Sequence, residues 1–209
     1  TAVRHMAFAK SEGAAAALVV APYYNRPNQE GMYAHFAHLA EKSDLPIILY
    51  NVPGRTITDI LPETVARLAE IPSIIGIKDA SGNLARVTSH RISCGTDFVQ
   101  LSGNDDMALA FNAAGGVGCI SVTANVAPRL CAEFQAACQA GDYGLARTLN
   151  DRLHSLHGAL FSDVSPGPTK YALTKVLDNF PENVRLPMTP ASAGSRSIVD
   201  AGLEHAGLI

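Results

Sequence analysis

The 209-residue sequence predicts an α/β fold of the (β/α)8 barrel type, lacking its first strands and followed by a C-terminal helical extension. Three observations predict it. Short runs rich in Val and Ile recur without polar alternation, as in strands covered on both faces of a parallel sheet. Segments with helical spacing separate them, so strand and helix alternate every roughly 25 to 30 residues, the grammar of right-handed βαβ crossovers. Polar residues gather where each run ends, the end at which such barrels place their chemistry.

In order, the strand candidates are AAALVVAPYY (15–24), LPIILYNVP (45–53), SIIGIKDA (73–80), DFVQLSG (97–103) and GVGCISVTA (116–124). Between them QEGMYAHFAHLAEK, LPETVARLAEI, NLARVTSHRIS and DDMALAFNAAGG carry helical spacing. A doubly wound dinucleotide-binding sheet is the competing architecture. It requires G-x-G-x-x-G directly after a strand, whereas the glycines of AAGGVG (113–118) precede one. A barrel of this type needs eight strands in typically about 250 residues, so the five runs read as strands 4 to 8. Residues 1–125 are therefore expected to form a partial barrel and 126–209 a helical region packed on it. The latter contains VAPRLCAEFQAACQAG, DYGLARTLNDRLHSLHGALF, PTKYALTKVLDNF and SRSIVDAGLEHAGL, punctuated by Gly141, by Ser165-Pro166-Gly167-Pro168, and by Pro187 and Pro190.

Composition narrows the partners. With 47% hydrophobic residues, 17% charged and a formal charge of -3, the chain has no basic stripe to neutralise phosphates, which argues against nucleic acid. No apolar run reaches the eighteen or so residues that span a bilayer, and TAVRHMAFAK lacks a signal-peptide core, so the reading is cytoplasmic with no membrane partner. Cys94, Cys119, Cys131 and Cys138 show no C-x-x-C spacing and read as free thiols, with Cys131 and Cys138 on one helix. His35 and His38 fall at helical spacing but lack companion ligands, so no metal site is expected.

The chemistry centres on Lys78, which follows the apolar run Ile74-Ile75-Gly76-Ile77 directly. At the dry mouth of a barrel, loss of water disfavours an ammonium, and a neutral amine can attack a ketone or aldehyde to form a Schiff base. The plainer reading is an ion pair with Asp79. Tyr50 ends the neighbouring run, one inter-strand spacing away, where a phenol can relay protons. Arg55 follows on the same loop after Pro53-Gly54, a turn that aims a guanidinium at a substrate carboxylate. Tyr23 and Tyr24 are adjacent phenols that alternation points in different directions, one toward the site and one toward a partner subunit.

The blocks PYYNRPNQEG, ILYNVPGRT, IIGIKDASGNLARV, LSGNDDMAL, GCISVTANVAP and RLPMTP resemble, in order, the dihydrodipicolinate synthase family of pyruvate-dependent class I aldolases and lyases. The resemblance implies that Lys78 forms the Schiff base with pyruvate and that Tyr50 donates and accepts protons. It implies that Tyr24 reaches into the neighbouring subunit's site and that Arg55 binds the carboxylate of aspartate-4-semialdehyde. Gly103 and Ile120 match pyruvate-pocket positions, Ile120 through its backbone. The implied reaction condenses the two substrates to 4-hydroxy-tetrahydrodipicolinate on the way to lysine and diaminopimelate. No cofactor beyond the covalent pyruvate is implied; a homotetramer is, with lysine as a possible feedback inhibitor. The family's G-T-T-G-E motif does not occur in these residues. Two alternatives stand beside this reading: a sister aldolase acting on sialic acid or a keto-deoxy sugar acid, and an inactive truncated protein that serves as an assembly partner. The arginine of NVPGRT distinguishes the first, because the sialic acid lyases carry small or apolar residues there.

Overall fold

The computed structural model describes all residues from 1 to 209. It divides into two compact units, Thr1–Ile120 and Ser121–Ile209.

The first unit alternates helix and strand: α1 (Ala2–Ser11), β1 (Ala17–Val20), α2 (Gln29–Lys42), β2 (Ile47–Asn51), the single turn α3 (Pro53–Thr56), α4 (Pro62–Ala69), β3 (Ile74–Asp79), α5 (Ala85–Cys94), β4 (Val99–Ser102), a 3-10 turn (Asp105–Met107), α6 (Ala108–Ala113) and β5 (Gly118–Cys119). All strand pairs are parallel and the order is β1-β2-β3-β4-β5. Each new strand joins the same edge of the sheet. A barrel wall grows in this way, whereas a doubly wound sheet reverses direction at a switch point.

Local sequence explains the helices around the sheet. The Asn28 side chain accepts the Gly31 N–H at 2.9 Å and caps α2, with Glu30 in the first turn and Lys42 in the last, charges that complement the helix dipole. Met32, Phe36 and Leu39 form one stripe of α2 and are fully buried. Pro62 opens α4 at a position where a missing N–H costs nothing, and Val65 and Leu68 enter the same core. They meet Ile47, Leu49, Ile74 and Ile77 of the central strands. Each such side chain stabilises the fold by about 1.5–3 kcal/mol.

Expected and observed elements differ in instructive places. The helix α1 falls on a segment for which no element had been expected; of its ten residues only Met6 is buried, so its apolar signal is faint. The last strand shrinks from the expected 116–124 to Gly118–Cys119.

The second unit is helical: a 3-10 turn (Thr123–Asn125), α7 (Pro128–Gln139), α8 (Tyr143–Ala159), α9 (Gly167–Val176) and α10 (Ala193–Ala206). The Ser121 hydroxyl accepts the Ala124 N–H at 2.8 Å, a local turn that ends extended backbone there. Leu149, Leu153 and Leu156 of α8 bury one face, and α10 contributes Val199 and Leu203. Gly202 permits close packing of these helices, because a Cβ there would stand 3.1 Å from the Ala159 Cβ and 3.2 Å from the Leu156 Cα. The helix expected over PTKYALTKVLDNF stops at Val176. Leu177 turns extended and Asn179 takes a φ of 58°, a conformation Asn tolerates better than most residues. Cys131 and Cys138 lie buried on α7, and none of the four cysteines forms a disulfide. No group of three or more His, Cys, Asp or Glu side chains could hold a metal ion. No helix is long and apolar enough to cross a membrane.

Candidate active site

Parallel pairing decides which side chains meet. Tyr50 and Lys78 are direct partners in the β2–β3 register, and Val20 and Leu101 stand beside them on the flanking strands. Side chains in register point to the same face. The next residues in sequence, Asn51, Asp79 and Ser102, are likewise in register and occupy the opposite face. One face therefore carries the amine and the phenol, while the other carries amide, carboxylate and hydroxyl.

Lys78 is 8% exposed, and its Nζ lies 4.1 Å from the centroid of the Tyr50 ring. In its charged form the ammonium is held by the ring's electron-rich face. Asp79 does not pair with it: its Oδ1 accepts the Ser81 N–H at 2.6 Å, and its side chain points away by strand alternation. Gly103 donates its N–H to the Asp79 carbonyl at 2.7 Å and leaves the space that Lys78 occupies; a Cβ there would lie 3.1 Å from the lysine Cε. Ile120 donates its N–H to the Ser102 carbonyl at 2.9 Å, which fixes the end of β5 beside β4. Arg55 sits on α3, directly after β2, with its side chain exposed.

Tyr24 stands apart. Its side chain is 92% exposed and its φ is 65°, a value that non-glycine residues rarely adopt. The structure thus brings Lys78, Tyr50 and Gly103 into contact range, sets Arg55 and Ile120 at adjoining strand ends, and turns Tyr24 into solvent.

Behind the site lies a polar network that sequence reasoning had not assembled. Asn51 is fully buried; its Nδ2 donates to Asp59 Oδ1 at 2.8 Å and its Oδ1 accepts the Ile60 N–H at 3.0 Å. Arg86 of α5 grips the same carboxylate with two donors, at 2.7 and 2.5 Å. Burial alone would push the Asp59 carboxyl up, but hydrogen bonds from Arg86 and Asn51 and the guanidinium charge outweigh it and hold it below 3.8. The hydrogen bond that Arg86 donates to Asp59 likewise raises the pKa of its guanidinium. The signal that could have found the network is alternation: an amide one residue past an inward-facing Tyr must lie on the helix-covered face and needs a partner there.

Deeper still, His90 of α5 is 1% exposed and its Nε2 has no hydrogen-bond partner. Burial pushes this imidazole below 6.5; the Asp79 charge and Gln100 oppose the shift, and the Arg86 charge adds to it.

A sequentially ordered parallel α/β sheet with a buried lysine against a tyrosine at two adjacent strand ends defines a barrel-type protein equipped for carbonyl chemistry. The model of the dihydrodipicolinate synthetase family matches residues 1–206, and the chain belongs to that family. It is 64% identical to the 4-hydroxy-tetrahydrodipicolinate synthase of Novosphingobium aromaticivorans over 100% of its own length and 71% of the relative's. The dihydrodipicolinate synthase of Acinetobacter baumannii, solved in complex with pyruvate, superposes with a TM-score of 0.93 at 43% identity, covering 100% of this chain and 71% of that one. The enzyme from Cyanidioschyzon merolae, solved with lysine bound, gives 0.93 at 33% identity, covering 100% and 70%. These neighbours identify the five strands as part of a (β/α)8 barrel.

Proposed function

We propose that the chain carries the Schiff-base site of a 4-hydroxy-tetrahydrodipicolinate synthase, which condenses pyruvate with aspartate-4-semialdehyde. The observation that carries this reading is the buried Lys78 amine 4.1 Å above the Tyr50 ring, at the end of a barrel strand. The free amine of Lys78 attacks the pyruvate ketone carbon, and the carbinolamine loses water to give an imine. Removal of a methyl proton gives the enamine, whose carbon attacks the aldehyde. The amine of the second substrate then displaces Lys78 from the imine carbon, closing the ring and freeing the lysine. Tyr50 moves protons on and off these intermediates. Arg55 receives the carboxylate of the semialdehyde, because its exposed guanidinium follows the Tyr50 strand at the entrance. Gly103 and Ile120 shape the pyruvate pocket.

In this reading pyruvate is bound covalently and no other cofactor takes part. The protein works in the cytoplasm as a homotetramer in which Tyr24 completes the proton relay of a neighbouring copy, which accounts for an exposed phenol on strained backbone. Lysine acts as feedback inhibitor. Incubation with pyruvate, reduction with borohydride and peptide mass spectrometry test the central step. A reduced pyruvyl adduct on Lys78 alone is expected; an adduct spread over surface lysines, or none, sinks the proposal.

A further inference from the structure

Arg55 is presented by a segment that should not hold its shape unaided. Ile57, two residues on, is β-branched, 63% exposed and has a φ of 58°, a conformation such residues reach only at a cost of about 1–3 kcal/mol. Local hydrogen bonds brace the turn in part, the Ile57 N–H donating to the Pro53 carbonyl at 2.9 Å and the Thr56 hydroxyl to the Val52 and Thr58 carbonyls at 3.1 and 2.8 Å, and the limb that follows adds the longer-range ties. There Thr58 donates to the Pro22 carbonyl at 2.7 Å, Gln29 donates to the Asp59 carbonyl at 2.8 Å, and the Asp59 carboxylate is gripped by Asn51 and Arg86.

The Asp59 carboxylate touches three parts of the site at once. Its own backbone belongs to the Arg55 loop. Asn51 is the chain neighbour of Tyr50. Arg86 stands on α5, which follows Lys78 through a short loop. The Arg86–Asp59 pair is only 12% and 33% exposed, so it is shielded from solvent and fixes geometry more than it adds net stability.

We propose that Asp59, clamped by Asn51 and Arg86, is a positioning residue that sets the Arg55 loop against Lys78 and thereby governs binding of the carboxylate-bearing aldehyde. The inference rests on the function proposed above. Neutralising Asp59 leaves Lys78 and its Tyr50 contact intact, because both lie on the opposite face of the sheet. The first half-reaction is then spared and recognition of the second substrate is lost.

The test compares wild type with Asp59→Asn and Arg86→Lys. For Asp59→Asn the KM for aspartate-4-semialdehyde rises about 10- to 100-fold, while pyruvate trapping by borohydride and the KM for pyruvate stay within about twofold. Arg86→Lys keeps the charge but loses the two-pronged grip, and gives a smaller rise in the same constant. Unchanged KM for the aldehyde in Asp59→Asn overturns the inference, as does a parallel loss of trapping, both KM values and melting temperature, which marks a merely structural pair. Failure of wild type to trap pyruvate removes the underlying reading instead, and the inference with it.

Discussion

Gly103→Ala probes how closely the pocket is fitted to Lys78. The added Cβ would stand 2.7 Å from the Ala80 Cβ and 3.1 Å from the Lys78 Cε. Carbon atoms rest in contact at about 3.5–4.0 Å, so the Ala80 side must open by about 1 Å and the lysine must shift by several tenths. The lysine terminus is flexible and yields, but Ala80 is held by a backbone hydrogen bond from its N–H to the Asn51 carbonyl at 2.8 Å. Overpacking of this kind costs about 1–3 kcal/mol of stability. A displacement of about 1 Å at a reacting group slows chemistry by about 100-fold. The assay follows the appearance of reduced pyruvyl adduct by intact mass at fixed pyruvate, beside a thermal melt. Gly158→Ala serves as the control, because a Cβ there meets nothing within 4 Å and the residue lies in the last turn of α8, where alanine costs no stability. If Gly103→Ala traps pyruvate at the wild-type rate and melts at the wild-type temperature, the packing argument for this glycine is wrong.

Tyr50→Phe keeps the ring face under Lys78 and removes only the hydroxyl, so melting is expected to change little while turnover falls about 100- to 10,000-fold; a loss under tenfold excludes Tyr50 as the proton carrier. His90 makes stability depend on pH. Well above 6.5 both folded and unfolded imidazoles are neutral; as pH falls through that value the unfolded chain takes up a proton that the buried ring resists, so stability drops. His90→Gln is therefore less stable than wild type near pH 7.5, and the gap narrows by pH 5.5 in urea unfolding. A constant gap refutes it. The half-buried His35, also pushed down by that burial and by His38, contributes equally to both proteins and cancels in the comparison.

Much of the architecture is legible because its signals are local and repeated. The helix over QEGMYAHFAHLAEK follows from an Asn cap and a clear apolar stripe, and the structure places it at Gln29–Lys42. Apolar runs ending in polar residues led directly to the Tyr50–Lys78 pairing, since adjacent parallel strands of similar length align their ends. What sequence could not show depends on long-range partners. The Asn51–Asp59–Arg86 network joins residues up to 35 positions apart in the chain, and neither Asp59 nor Arg86 carries a local pattern that marks it. The ion pair first considered for Lys78 and Asp79 fails for a simple reason: consecutive strand residues face opposite ways. The brevity of β5 reflects a serine-capped turn whose competition with the ladder is visible only once the ladder's neighbours are known.

The two-sided pleat of β2 and β3 has a consequence for how this protein can change. On the function proposed above, Tyr50-Asn51 and Lys78-Asp79 each pair one residue for the substrate with one residue for the scaffold, because register sets them on opposite faces. Deleting or inserting a single residue in either strand therefore exchanges the two roles wholesale, turning an amine toward the helices and a carboxylate toward the ketone. Lesions of even length preserve the assignment. Strand-length variants should accordingly fall into two populations by parity, and a transplant of this chemistry into another barrel must carry dipeptides rather than single residues.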